Sequence, residues 1–219
     1  MTTAPKVKIC GLKTEAALEA ALTGGADYVG LVFFSPSPRN VSPEAGKILA
    51  DKARGRAKIV ALLVDPDDAL LETVVASANP DIFQLHGNEA PARVREIRQR
   101  WDKPVMKAMH VETADDVQAA LEYCGIADVI LFDAPAPVES TRPGGHGVPF
   151  DWDVLAELKD KVPFVLSGGL TPENVAKAIQ LTGAHGVDVS SGVEIRPGEK
   201  DPALISRFLR AAKGAKQGA

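Results

Sequence analysis

Two residues of this 219-residue sequence combine the side-chain type and the setting needed to move protons. Cys10 ends the apolar run Val7-Lys8-Ile9-Cys10 beside Gly11, and Asp133 ends Val129-Ile130-Leu131-Phe132. A thiol acts as a base once neighbouring positive charge lowers its pKa from about 8.5, and Lys8 or Arg39 would supply such a charge. A carboxyl group at the mouth of an apolar strand is partly desolvated, which raises its pKa and lets it donate a proton near neutral pH. Each residue also has a plain structural reading. Free cysteine is among the most buried residue types, and an aspartate at a strand end serves equally as a helix cap or loop hydrogen-bonder. Read chemically, the pair would deprotonate a substrate on one side and protonate it on the other.

A further set of polar residues interrupts the apolar runs. Arg39 lies in the proline-stiffened stretch Ser35-Pro36-Ser37-Pro38-Arg39, where a guanidinium fork either holds a carboxylate through two parallel hydrogen bonds or stays on the surface. His86, in Gln84-Leu85-His86-Gly87, either hydrogen-bonds a ligand or closes the end of its strand. Asp65 precedes Pro66 and is expected to cap a helix. His110 and its neighbour Lys107 would line the same mouth. Asp188 accepts from a substrate amine or, on the safer reading, orders the Ser190-Ser191-Gly192 turn. Cys124 has only the structural reading.

Two glycine-dense turns close the last two apolar runs, Leu166-Ser167-Gly168-Gly169-Leu170 and Asp188-Val189-Ser190-Ser191-Gly192-Val193. Backbone N–H groups freed by such turns and backed by a helix N-terminus hold a phosphate dianion without a lysine or a metal. Gly168, Gly169, Ser190, Ser191 and Gly192 are therefore the candidate phosphate-binding residues. The ligand should be phosphorylated.

Placing these groups around one ligand requires a particular arrangement of elements. Apolar runs of strand length recur near residues 7–12, 28–34, 58–65, 81–86, 104–109, 128–133, 163–167 and 186–190. They are continuously apolar, as parallel strands covered on both faces are. Between them stand helix signals such as Thr14-Glu15, Ser42-Pro43-Glu44, Asp65-Pro66-Asp67, Thr113 and Thr171-Pro172-Glu173-Asn174. Eight such units predict an α/β fold, a single (β/α)8 TIM barrel with parallel strands and C-terminal phosphate-binding loops, in preference to an open doubly wound sheet. One domain, 1–219, with an ordered core of about 6–213, accounts for the length. The connection 134–149, rich in proline and glycine, is too long for a turn and reads as a mobile cover over the sixth strand's end.

Composition narrows the partners. A formal charge of −4 and a pI near 5.6, with scattered lysines and arginines, argue against a nucleic-acid binder. No apolar stretch approaches the roughly 18 residues that span a bilayer, so no membrane partner is expected and the compartment is read as cytoplasmic. Two cysteines make no disulfide scaffold. His86, His110, His146 and His185 show none of the short spacings that zinc sites favour, and no dinucleotide or Walker motif is found. No metal and no cofactor is implied.

Taken as a set, Lys8-Ile9-Cys10-Gly11-Leu12, Ser37-Pro38-Arg39, Gln84-Leu85-His86-Gly87, Leu131-Phe132-Asp133, Phe150-Asp151-Trp152, Leu166-Ser167-Gly168-Gly169-Leu170 and Asp188-Val189-Ser190-Ser191-Gly192-Val193-Glu194 resemble the phosphoribosylanthranilate isomerase family over essentially the whole chain. The glycine turns are shared by many phosphate-binding barrels. The cysteine and aspartate closing the first and sixth strands are far more specific. The resemblance implies an isomerase of tryptophan biosynthesis, within aromatic amino-acid biosynthesis, that performs a cofactor-free Amadori rearrangement on a phosphosugar-anthranilate substrate. It implies Cys10 as general base and Asp133 as general acid, with Arg39 on the anthranilate carboxylate, and it leaves monomer or homodimer open. One segment departs from the family pattern: Gly144-Gly145-His146-Gly147-Val148-Pro149 lacks a lysine common there. A pentose-phosphate epimerase, the related isomerase of histidine biosynthesis and a non-catalytic phosphosugar-binding barrel fit the residues less well.

Overall fold

Every one of the eight apolar runs becomes a strand: β1 (Lys6–Cys10), β2 (Tyr28–Val32), β3 (Lys58–Leu63), β4 (Ile82–Leu85), β5 (Val105–His110), β6 (Val129–Asp133), β7 (Phe164–Leu166) and β8 (Gly186–Val189). In the computed structural model, which describes residues 4–134, 152–158 and 162–215, these strands pair in chain order and all run parallel. β1 also pairs with β8, from Lys6 opposite Gly186 to Ile9 opposite Val189, so the sheet closes and no open-sheet alternative survives. The cover 135–149, with His146, lies outside the described residues.

Helices follow the first five strands as α1 (Glu15–Thr23), α2 (Pro43–Ala53), α3 (Asp68–Ala78), α4 (Pro91–Trp101) and α5 (Ala114–Leu121). A 3-10 turn, Trp152–Leu158, stands after β6, and α6 (Val175–Thr182) and α7 (Pro202–Gly214) complete the ring. Their starts are locally specified. Thr14, Ser42 and Thr113 each accept a hydrogen bond from a first-turn N–H, and Thr113 with Asp116 forms a reciprocal capping box. The expectation for Asp65 is corrected. Asp67 caps α3 by accepting from Leu70 N, whereas Asp65 has a φ of 44° and accepts from Asn88 N, tying the loop after β3 to the loop after β4.

Strand periodicity divides the core in two. Side chains such as Ile9, Leu31, Leu63, Leu85, Phe132 and Leu166 face the helices, and a smaller group of Met106, Ala108, Leu131 and Val165 packs separately from them. On β1 the residues alternating with Val7 and Ile9 are Lys8 and Cys10, which places an ammonium and a thiol on the barrel-facing side. After β8 the chain makes a short hairpin of β9 (Glu194–Arg196) and β10 (Glu199–Lys200). Gly198, at φ +82°, lets that hairpin approach the Arg39 loop; a Cβ there would stand 2.4 Å from Pro38 O.

Candidate active site

Cys10 and Asp133 both stand at the C-terminal ends of their strands, where barrel chemistry is done. Both are buried. Gly30 is the strand β2 partner of Cys10, and a Cβ at Gly30 would meet Cys10 Sγ at 2.9 Å and Lys8 Cε at 3.2 Å, so the thiol and ammonium occupy space that only glycine leaves.

Lys8 Nζ donates to Asp188 Oδ2 at 2.9 Å, in a pair almost fully withdrawn from water. Burial opposes the lysine's charge, yet Asp188 and Cys10 together hold its pKa above the ordinary value. For Cys10 the balance falls the other way. Burial pushes the thiol up, Lys8 pulls it down, Asp188 pushes it up again, and the net pKa is above the usual one. The expected lowering by Lys8 is thus present but outweighed, first by burial and then by the negative charge of Asp188. Arg39 is engaged by Glu194, to which its Nε and Nη2 each donate at 2.8 Å.

Glu194 also receives Lys200 Nζ at 2.7 Å, and the same ammonium reaches Ser190 O at 2.8 Å and Ser190 Oγ at 3.1 Å. Ser190 Oγ in turn donates to Cys10 O at 3.2 Å. Arg39, Glu194, Lys200 and Ser190 therefore form one chain of contacts from the loop after β2, across the hairpin, to the end of β1. Burial lowers the Lys200 pKa to about 8 despite the attraction of Glu194. Asp188 is tied to Lys8 instead of to the turn that follows it, and its Oδ1 is buried without a hydrogen-bond partner among the described residues.

Across the ring, strand register sets His110 beside Asp133, and His86 Nε2 lies 3.2 Å from Asp133 Oδ2. Burial raises the Asp133 pKa, but the close approach of His86, the charges of His86 and His110 and the Ala134 N–H outweigh it. The carboxyl therefore sits below the usual aspartate value, which corrects the expectation from desolvation alone. His110 is held below its ordinary value by burial and by the charge of His86, while its Nδ1 lies 3.2 Å from Ala134 O.

The two glycine turns meet physically. Gly168 and Gly169 have φ of +82° and +63°, and a Cβ on Gly168 would stand 2.4 Å from Ala134 N, directly after the catalytic candidate Asp133. A Cβ on Gly192 would stand 1.8 Å from Leu170 O, so the turn after β8 lies against the turn after β7. Asn174 fixes the first turn by accepting from Thr171 N and donating to Gly169 O.

Lys107, which the sequence set at the mouth with His110, holds loops together instead, and its partner Glu89 and the hairpin's Lys200 were not singled out from sequence. Lys107 Nζ, buried, donates to Glu89 Oε2, Gly87 O and Ala108 O at 2.9, 2.8 and 3.0 Å. Glu89 also accepts from Asp65 N and Gly87 N, so this pair clamps the loops on either side of His86. A lysine inside the apolar run Val105-Met106-Lys107-Ala108 was the available signal. Lys200 had none, since only the folded hairpin carries it to Ser190.

The family model described as N-(5'phosphoribosyl)anthranilate (PRA) isomerase matches residues 7–211. An N-(5'-phosphoribosyl)anthranilate isomerase of Rhodopseudomonas palustris (strain BisA53) is 56% identical over 211 residues, covering 96% of this chain and 97% of that protein. The crystal structure of phosphoribosyl anthranilate isomerase from Thermotoga maritima superposes with a TM-score of 0.87 at 36% identity, over 96% of this chain and 99% of that one. A crystal structure of a phosphoribosyl anthranilate isomerase in complex with reduced 1-(o-carboxyphenylamino)-1-deoxyribulose 5-phosphate gives a TM-score of 0.83 at 34% identity, over 96% of this chain and 99% of that one. Among the described residues no helix is long and apolar enough to cross a membrane.

Proposed function

The chain belongs to the N-(5'-phosphoribosyl)anthranilate isomerase family, and from that premise we propose that it converts N-(5-phosphoribosyl)anthranilate to 1-(2-carboxyphenylamino)-1-deoxyribulose 5-phosphate, with Cys10 as general base and Asp133 as general acid. The observation that carries this reading is the position of the two groups at the ends of β1 and β6 of one closed barrel, with the paired glycine turns beside them.

In this reading Asp133 protonates the furanose ring oxygen. The C–O bond breaks, the ring opens to an iminium, and Cys10 removes the proton from sugar C2. The resulting enolamine tautomerises to the ketone, so one acid and one base suffice and no redox partner is consumed. The low proton affinity of Asp133 in the free site calls for a proton source. His86 Nε2 lies 3.2 Å from Oδ2, and an incoming phosphate and carboxylate raise the proton affinity of Asp133. On the opposite side Lys8 favours the thiolate that a base requires, against the burial that disfavours it.

The phosphate is read into the backbone N–H groups of Gly168, Gly169, Ser190, Ser191 and Gly192, and the anthranilate carboxylate onto Arg39. Arg39 is already held by Glu194, so its guanidinium is oriented in advance, which lowers the entropic cost of binding. Asp188 Oδ1 is the acceptor for the substrate amine. Fixing both ends holds the sugar between base and acid.

Separate Cys10→Ala and Asp133→Ala substitutions test the assignment by steady-state kinetics and product-analogue binding. Each is expected to lower kcat by about 10²–10⁴ while affinity for the analogue is kept. Unchanged turnover in either variant removes that residue from the mechanism.

A further inference from the structure

Three strand ends bring together a set of side chains that sequence spacing hid. His86 follows β4, His110 closes β5 and Asp133 closes β6, and one potential ligand atom from each lies within 4.8 Å of the others. We propose that this cluster binds a divalent transition-metal ion of the zinc type, and that the bound ion blocks the isomerase.

The donor set suits such an ion. Two imidazoles and a carboxylate, with a fourth position left to water, make a tetrahedral site that favours zinc over magnesium or calcium. Ligand bonds of about 2.0–2.1 Å place tetrahedral donors about 3.4 Å apart. The three donors stand within 4.8 Å of one another and must close to that spacing around an ion. A second observation points the same way: His86 Nε2 is buried without an aligned hydrogen-bond partner although Asp133 Oδ2 lies 3.2 Å away. A shared cation satisfies both atoms where a direct hydrogen bond does so poorly.

Neighbouring groups support the ligands. Ala134 O lies 3.2 Å from His110 Nδ1, and a carbonyl acceptor at one ring nitrogen fixes the tautomer and leaves the other a lone pair, as metal-binding histidines require. The Gln84 amide stands 3.4 Å behind His86 Nδ1, and turned so that its Oε1, otherwise buried without a partner, accepts from Nδ1–H, it leaves the Nε2 lone pair for an ion. The nearby ammonium of Lys107 is neutralised by Glu89, so it does not repel a cation at full strength.

Binding itself is independent of the catalytic reading, whereas the block rests on Asp133 being the proton donor. A carboxylate that ligates an ion cannot deliver a proton to the ring oxygen.

The test is calorimetric titration of zinc chloride into metal-free protein carrying Cys124→Ser, which removes the exposed thiol. One ion per chain is expected. His110→Ala, its volume-conserving alternative His110→Gln and Asp133→Asn should each weaken binding at least about tenfold, and Cys10→Ser should leave it unchanged. Cobalt(II) in place of zinc should give a tetrahedral visible spectrum without thiolate charge transfer. Zinc should inhibit turnover reversibly with a chelator, and His110→Gln should resist that inhibition. Absence of one-to-one binding, indifference to both His110 substitutions, or loss of binding in Cys10→Ser overturns the site. Binding through these three residues without inhibition overturns the block and the acid role of Asp133 together, leaving the site.

Discussion

Cys10 depends on Lys8 more than on any other positive group, because the ammonium both donates to Asp188 and supplies the largest force favouring the thiolate. A base works in its deprotonated form, so under the proposed role of Cys10 a thiol pKa above the usual value predicts that kcat/KM climbs with pH through the neutral and mildly alkaline range. Lys8→Met removes the stabilising charge while leaving Asp188 in place, and the rising limb should move to higher pH. At pH 7 a loss of at least about tenfold is expected, equivalent to one pKa unit, and a pH–rate profile measures it. Adding Asp188→Asn to Lys8→Met should return part of the shift, since Asp188 also disfavours the thiolate. An unmoved limb would show that Cys10 is not the titrating base. Cys10 and Asp133 were legible in the sequence because each interrupts an apolar run at its C-terminal end. Their proton affinities were not, since each net shift sets burial against charges that folding brings near: Asp188 beside the strand neighbour Lys8 for one, His86 and His110 for the other.

Among the elements, the loops after β7 and β8 are legible as glycine turns, but their mutual contact is visible only once folded. Gly192→Ala would drive a methyl group into Leu170 O, and since both atoms belong to the main chain one turn must move. The expected result is a KM raised about tenfold for the phosphorylated substrate, with kcat less affected, and a stability loss of about 1–3 kcal/mol. Comparable KM values for the variant and the parent would remove this turn from phosphate binding. The Lys107–Glu89 pair makes a different prediction. Glu89→Ala strands a buried ammonium and should cost about 3–5 kcal/mol in a denaturant titration, whereas the double change Glu89→Leu with Lys107→Met should recover much of that loss. Failure of the double variant to recover would mean that the pair is needed for the loop conformations and not merely for charge balance. Helix starts show the same division between local and distant causes. Thr113 and Asp116 cap α5 within four residues, but the loop signal at Asp65 was misassigned because its partner, Asn88, comes from the next unit.

Over the whole molecule, closure of the barrel gathers a chain of charge from Arg39 through Glu194 to Lys200, joining segments more than 150 residues apart. Lys200 has a folded pKa of about 8 against an ordinary 10.5, so between those values the unfolded chain holds a proton that the folded chain has released. Its contribution to stability is least favourable below about pH 8 and improves as pH rises toward 10.5, by at most about 1.4 kcal/mol per pH unit. Unfolding free energies of the parent minus those of Lys200→Met, measured from pH 7 to 10.5, should therefore increase with pH; a flat or falling difference would contradict the burial of this ammonium. The sequence by itself determined the eight strand-and-helix units and the two residues that end β1 and β6, because hydrophobic period, capping residues and a polar break in an apolar run are all written within a few consecutive positions. Closure decided the rest. Only when β1 pairs with β8 do Lys8 and Asp188 face each other, only when β4, β5 and β6 lie side by side do His86, His110 and Asp133 converge, and electrostatic energy depends on those through-space distances and on exclusion of water, neither of which spacing along the chain encodes.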